Sequence, residues 1–197
     1  MDIVTRAKGI LLNPKYEWEV VKEESTSVQE LFTKYAVILA AIPAVAGFIG
    51  FSVFGMNMGF ASFKMPIGSG FGHAVFTYIL GLAGVYLVGY IIDWLAPTFG
   101  AQKDLLQSMK VAVYSSTASW VGGIFKIIPA LSFITMLAGI YGLYLLYVGL
   151  KTVKDVSQDK IIGYFVSVII ITIIVYFIIG AITSSVFIGS HMMQPGM

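Results

Sequence analysis

The chain has no cysteine, two histidines, and charge on only 11% of its 197 residues. The missing cysteine excludes disulfides, thiolate metal sites and cysteine nucleophiles, and says nothing about compartment. With His73 and His191 alone, general acid–base chemistry has few candidates. No nucleophile–base pairing, glycine-rich phosphate loop or carboxylate metal cluster is present, so neither an enzyme nor a bound cofactor is expected. A formal charge of +2 with no basic stripe argues against nucleic acid as a partner. The charge deficit itself is large, since soluble domains carry about a quarter charged residues.

What the chain has instead is long apolar sequence between short polar stretches. A spanning helix needs about 20 consecutive apolar residues, and several such runs follow one another. The expected class is an all-α, polytopic integral membrane protein of the cell (inner or plasma) membrane, with the lipid bilayer as its first partner. Residues 1–34 form a charged N-terminal segment. Within it Ile3, Ala7, Ile10 and Leu11 recur at helical spacing, with Arg6 and Lys8 read onto other faces. This predicts a short amphipathic helix ending at Asn13-Pro14, lying either at the membrane surface or on the protein's own membrane domain. The run Ile10-Leu11-Leu12 is too short for the core of a cleavable signal peptide. Ser27-Val28-Gln29-Glu30 reads as a capping box opening the next helix.

Five spans are expected within residues 35–188, followed by a short outer tail, 189–197. The first covers Tyr35–Phe54 and contains Pro43, which a membrane helix tolerates where neighbours satisfy the freed carbonyl. A Gly- and Met-rich loop, Gly55–Gly72, precedes the second, His73–Ile92, which stops at Asp93-Trp94-Leu95-Ala96-Pro97. Lys126 and Pro129 divide the next long run into a third span, Val111–Phe125, and a fourth, Ala130–Leu150. The fifth is Ile161–Ile188. It is rich in β-branched residues, but an isolated strand cannot satisfy its backbone in lipid, so helix is expected. Basic residues favour the cytosolic side. With the N-terminus inside, the inner segments hold ten of the 12 basic residues and the outer ones hold only Lys64 and Lys126. The expected orientation is N-terminus in and C-terminus out.

Several features occur in a telling order. Ala7-Lys8-Gly9-Ile10-Leu11-Leu12-Asn13-Pro14 is followed by Tyr16-Glu17-Trp18-Glu19. After the second span comes Asp93-Trp94-Leu95-Ala96-Pro97-Thr98-Phe99-Gly100, then Lys110-Val111-Ala112-Val113-Tyr114-Ser115-Ser116-Thr117. The stretch from Tyr141-Gly142 to Gly149-Leu150 closes the fourth span. In this order, over nearly the whole chain, the sequence resembles the prokaryotic branch of the Yip (Ypt/Rab-interacting protein) membrane family. The resemblance implies a compact five-helix membrane domain with a cytosolic N-terminus. Eukaryotic members look like trafficking adaptors that meet Rab GTPases and one another. Here their long N-terminal region is replaced by 34 residues, and the nearest counterpart of their signature, Asp93 to Pro97, has Ala in place of Gly. Rab-type GTPase binding is therefore not carried over.

Candidate functional positions are few. Asp93 and Pro97 close the second span, and Asp93 either serves transport or partner binding or simply pairs with Lys110. In the third span Tyr114, Ser115, Ser116 and Ser119 form a polar run. It could line a water-filled path or bond to carbonyls one turn back while helices approach closely. Lys126, near Pro129, is placed at the outer side and free to snorkel. Glycines such as Gly47, Gly50, Gly81, Gly84, Gly89, Gly139 and Gly142 suit close helix contacts within the chain or between copies. Most methionines map to the outer side with both histidines, so Met56, Met58 and His73 are weak candidates for a Cu(I) site. Methionine equally suits lipid-touching loops, and Gly189-Ser190-His191-Met192 resembles a cloning scar. The expected activity is an interaction or membrane-organising role, through a protein partner on the cytosolic face or a second copy. A small transporter or channel along the third span is the alternative.

Overall fold

Asp2 opens the first helix, α1 (Ile3–Leu12), by accepting from the Thr5 amide at 2.9 Å. The computed structural model describes residues 2–57 and 62–192, with side chains given outside 56–63 and 186–192. Asn13 ends α1, and Pro14 at once begins a second helix, α2 (Pro14–Glu23), because its missing N–H and fixed φ suit a first helical position. The aromatic-acidic stretch is thus helical. Ala7 and Ile10 of α1 and Trp18 and Val21 of α2 join the common core. The N-terminal segment packs on the protein's own membrane domain, and Leu12, 81% exposed, remains outside.

Ser27 caps the next helix as expected, its Oγ accepting from the Glu30 amide at 3.1 Å. From there α3 (Val28–Leu31) runs through a π-helical turn into α4 (Val37–Ile49), and a second π turn ends at Phe54. Pro43 lies inside α4 without ending it. A two-residue antiparallel ladder, β1 (Met56–Asn57) with β2 (Ser62–Phe63), interrupts the otherwise helical chain. The second span begins earlier than expected: α5 runs Ile67–Leu95, then tightens into a 3-10 turn, Ala96–Phe99. Later come α8 (Phe133–Val153) and α9 (Ile161–Met192). Among the described residues, four helical segments are long and apolar enough to cross a bilayer: Val28–Phe54, Ile67–Phe99, Pro129–Val153 and Ile161–Ser185.

The segment between them is different. It is broken into α6 (Leu105–Ser115), α7 (Thr117–Gly122) and a 3-10 stretch, Gly123–Ile127. At the break Ser115 Oγ donates to the Val111 carbonyl at 2.6 Å and Ser116 Oγ to that of Ala112 at 2.8 Å. Hydroxyls bonded one turn back bend helices. Met109, Val111, Val113 and Tyr114 are nearly or wholly buried, so α6 lies at the centre of the packing, while Ile124 and Phe125 beyond it are exposed.

The outside shows the reverse pattern. Phe177 is 76% and Met136 69% exposed, and Ile79, Ile173 and Ile174 also face outward. So much apolar surface is tolerable only in lipid. Inside, glycines admit neighbours closely. A Cβ at Gly149 would come within 2.7 Å of the Trp18 ring, and one at Gly89 would meet the Met109 sulfur. These contacts seat α2 on α8 and α5 on α6.

Candidate functional site

Two regions of the fold concentrate polar groups. The first is the end of the bundle where the N-terminal hairpin meets residues 93–110 and 151–160. Arg6 is buried there, paired with Glu17 and, at 3.1 Å, with Glu24. Its guanidinium carbon lies 5.5 Å from the centre of the Tyr114 ring, within cation–π range. The Tyr114 hydroxyl donates to Glu24 at 3.0 Å, and Trp18 and Tyr35 meet the Tyr114 ring edge-on. Sequence reading put Arg6 on another face than the apolar stripe. The structure buries it, because it lies three residues after Ile3 and four before Ile10, on their side of α1. That spacing was the available signal, and the charge masked it.

Asp93 does not pair with Lys110. It accepts from the Asp104 amide at 2.8 Å and the Ser108 hydroxyl at 3.2 Å, and faces the Lys154 ammonium at 3.8 Å. Lys154 also donates to the Gln102 carbonyl at 2.7 Å. Burial pushes the Lys154 ammonium below its ordinary value, and the charges of Asp93 and Asp104 oppose that shift. Lys110, 1% exposed, turns instead to the carbonyls of Val21 and Glu24. The reason is electrostatic: these carbonyls lie at the C-terminal end of α2, its negative pole, where the Val21 carbonyl also accepts from the Glu24 amide at 3.2 Å. Gln107 adds a bond from its amide to the Lys22 carbonyl at 3.0 Å. Pro97 is exposed in the 3-10 turn. Together these bonds fasten three separate stretches of sequence into one surface.

The second region is a cavity of about 390 Å³ inside the bundle, between α5, the broken segment, α8 and α9. Ser115, Ser116, Ser119, Thr135, Thr172 and Lys126 supply its polar lining. Of the predicted polar run, Ser115, Ser116 and Ser119 line this cavity while Tyr114 turns to Glu24, and Ser115 and Ser116 donate to their own helix. Asp93 is not part of the wall, and among the described residues no carboxylate is. Pro43 and Lys126 also line a smaller cavity of about 130 Å³ with Ser52, His73 and Thr77. Lys126 therefore stands where the two adjoin, at the end away from the hairpin. Met58 lies outside the described residues, and of Met56 only the backbone is described, so the proposed metal set reduces to His73 beside Lys126 and Ser52. Among the described residues no three His, Asp or Glu side chains group as a metal site.

The family model for the Yip1 domain matches residues 8–180. The chain belongs to the Yip1 family. Among curated proteins, the Yip1-family chain is similar to the inner membrane protein YohC of Escherichia coli K12 and to YohC of Escherichia coli O6:H1. Identity is 27% over 179 residues with each, covering 89% of this chain and 92% of the relative. No solved structure matches it. With its apolar helices and these relatives, this Yip1-family chain is a multi-pass protein of the inner membrane.

Proposed function

We propose that this chain is a non-enzymatic interaction or membrane-organising module, and that its working surface is the hairpin end of the bundle, facing the cytosol. The observation that carries the reading is the fastening of α1 and α2 through Arg6, Glu17, Glu24 and Lys110. A segment held this way is a rigid platform, and it leaves Leu12 and Tyr16 exposed side by side with Lys15 and Glu19. Binding is cheaper on a preorganised surface than on one that must order first. Ten of the 12 basic residues belong to the segments that meet at this end, which supports N-terminus in. In this reading the segment 105–127 is the fifth crossing, packed against α4, α5 and α8, with α9 across the cavity. The occupant of the platform is a separate protein or a second copy; a Rab-type GTPase is no part of the proposal.

A photo-crosslinker in place of Tyr16, used in native membranes, tests this. A discrete protein adduct that disappears when Lys110→Met unfastens α2 is the expected result. Lipid and random neighbours alone, in both forms, would count against the platform.

A second reading, a small transporter, rests on the two adjoining cavities that meet at Lys126. Solute flux in reconstituted vesicles that changes with Ser119→Ala or Lys126→Met supports it. Absence of flux over a broad solute panel removes it.

A further inference from the structure

Charge and apolarity are arranged unequally along the larger cavity. Lys126 and Thr135 line the end away from the hairpin, while Ala112, Val88 and Leu146 line the other. On α8 alone the wall extends from Thr135 to Leu146, which at the helical rise is about 16 Å. The volume of about 390 Å³ falls within the usual range of small-ligand sites, about 300–1,000 Å³.

Four observations define what such a space accepts. Among the described residues Lys126 is the one cation in the wall, and no carboxylate shares the wall with it. An ammonium inside a membrane domain is costly unless an anion or water meets it. The Thr172 hydroxyl oxygen, also in the wall, is buried with no hydrogen-bond partner among the described residues. Ser115 and Ser116 donate to their own helix, so the middle of the cavity is less hydrophilic than its composition suggests. Finally, Leu143 and Tyr176 line the cavity yet are 40% and 43% exposed. The wall thus reaches the lipid-facing surface between α8 and α9.

We propose that this cavity binds an amphipathic organic monoanion, with its oxyanion head at Lys126 and its apolar tail along Val85, Val88, Leu143 and Leu146. One positive charge matches a single carboxylate rather than a dianion, and the lateral opening admits a chain from the bilayer. The site is independent of the platform proposed above, because none of Arg6, Glu17, Glu24 or Lys110 belongs to its wall.

Trp120 lines the cavity and provides the readout. In purified full-length protein carrying Trp94→Phe, which removes an exposed tryptophan, dibromodecanoate should quench Trp120 saturably. Lys126→Met should weaken the apparent affinity about tenfold or more, the size of one charged hydrogen bond, and Lys126→Arg should largely retain it. Gly139→Leu fills the cavity without touching the charge and should abolish quenching, so the test survives even if Lys126→Met fails to fold. Dibromodecanol, having no charge, should bind weakly and without dependence on Lys126. Equal quenching of wild type and Lys126→Met, undiminished quenching in Gly139→Leu, or alcohol binding as tight as acid would each overturn the proposal. An excess of sodium acetate distinguishes the sources. Failure to displace dibromodecanoate points to an amphiphile from the membrane, whereas full displacement marks a site for small water-soluble anions and overturns the tail's role.

Discussion

Lys110 closes the open end of α2 through Glu24: its ammonium lies 2.7 Å from the Glu24 carbonyl oxygen, across a gap of 86 residues in sequence. The Val21 carbonyl, at 2.8 Å, shares the same ammonium. A cation at a helix C-terminus satisfies orphan acceptors and meets the favourable end of the dipole. Lys110→Met keeps the aliphatic stem but strands the Glu24 carbonyl and leaves Val21 with only the bond from the Glu24 amide at 3.2 Å, at a cost of about 1–3 kcal/mol. Amide exchange should quicken in residues 14–23 and leave α8 and α9 unchanged. Uniform protection in the variant would show that the cap does not hold α2.

The buried triad of Arg6, Glu17 and Glu24 predicts strong non-additivity. Removing one partner of a buried ion pair typically costs about 3–5 kcal/mol, whereas neutralising the whole group is far cheaper. Thermal unfolding followed by circular dichroism should therefore rank Arg6→Met below the triple variant Arg6→Met, Glu17→Gln, Glu24→Gln. If the triple variant is the less stable, the charges contribute more than their desolvation costs.

Gly149 is where Trp18 rests on α8. A methyl group there would come within 2.7 Å of the ring, so Gly149→Ala should cost about 1–3 kcal/mol by overpacking. The Trp18 emission should shift to the red as the ring meets water. An unshifted spectrum and unchanged melting would mean that the ring moves aside freely.

Lys154 gives a pH dependence with a definite sign. Its folded value lies below the ordinary 10.5 because of burial, against the pull of Asp93 and Asp104. Between the depressed value and 10.5 the unfolded chain therefore carries the extra proton, and stability rises with pH. Melting temperatures of wild type relative to Lys154→Met should increase across this alkaline window. A falling difference would reverse the balance between burial and the carboxylates.

The absence of native cysteine makes orientation directly measurable. Lys15→Cys and Ser157→Cys should resist a membrane-impermeant maleimide in intact cells and react in inverted vesicles. Lys64→Cys should do the opposite. Residues 15, 64 and 157 are all exposed on the protein, so failure to label reports sidedness rather than burial. Labelling of positions 15 and 64 from the same side would refute the proposed topology.

The long apolar helices and the Ser27 cap could be read from sequence because each is a local pattern. Partners of the charged residues could not. Lys110 and Asp93 are near neighbours in sequence order, yet one turns to α2 and the other to Lys154. Which carbonyls lack partners is a property of assembled helices, not of any one of them. The hydroxyls of the third segment were legible as a polar run. Thr172, which lines the cavity from α9, sits in a stretch of isoleucine and valine with no local pattern to show which face turns inward.

The broken segment from Leu105 to Ile127 has a consequence for how the protein is made. Its longest helix, α6, has 11 residues, against 25 or more in each of the four flanking segments, so it is poorly suited to partition into lipid alone. It carries Lys110 and Lys126 and two serines at a helix break, all of which are accommodated by surrounding protein. If it crosses the membrane as proposed, this stretch depends during synthesis on its later partner, α8, to retain it at membrane depth. Truncation before residue 133 should leave it at the water interface, with the bundle's centre assembled only after its walls exist.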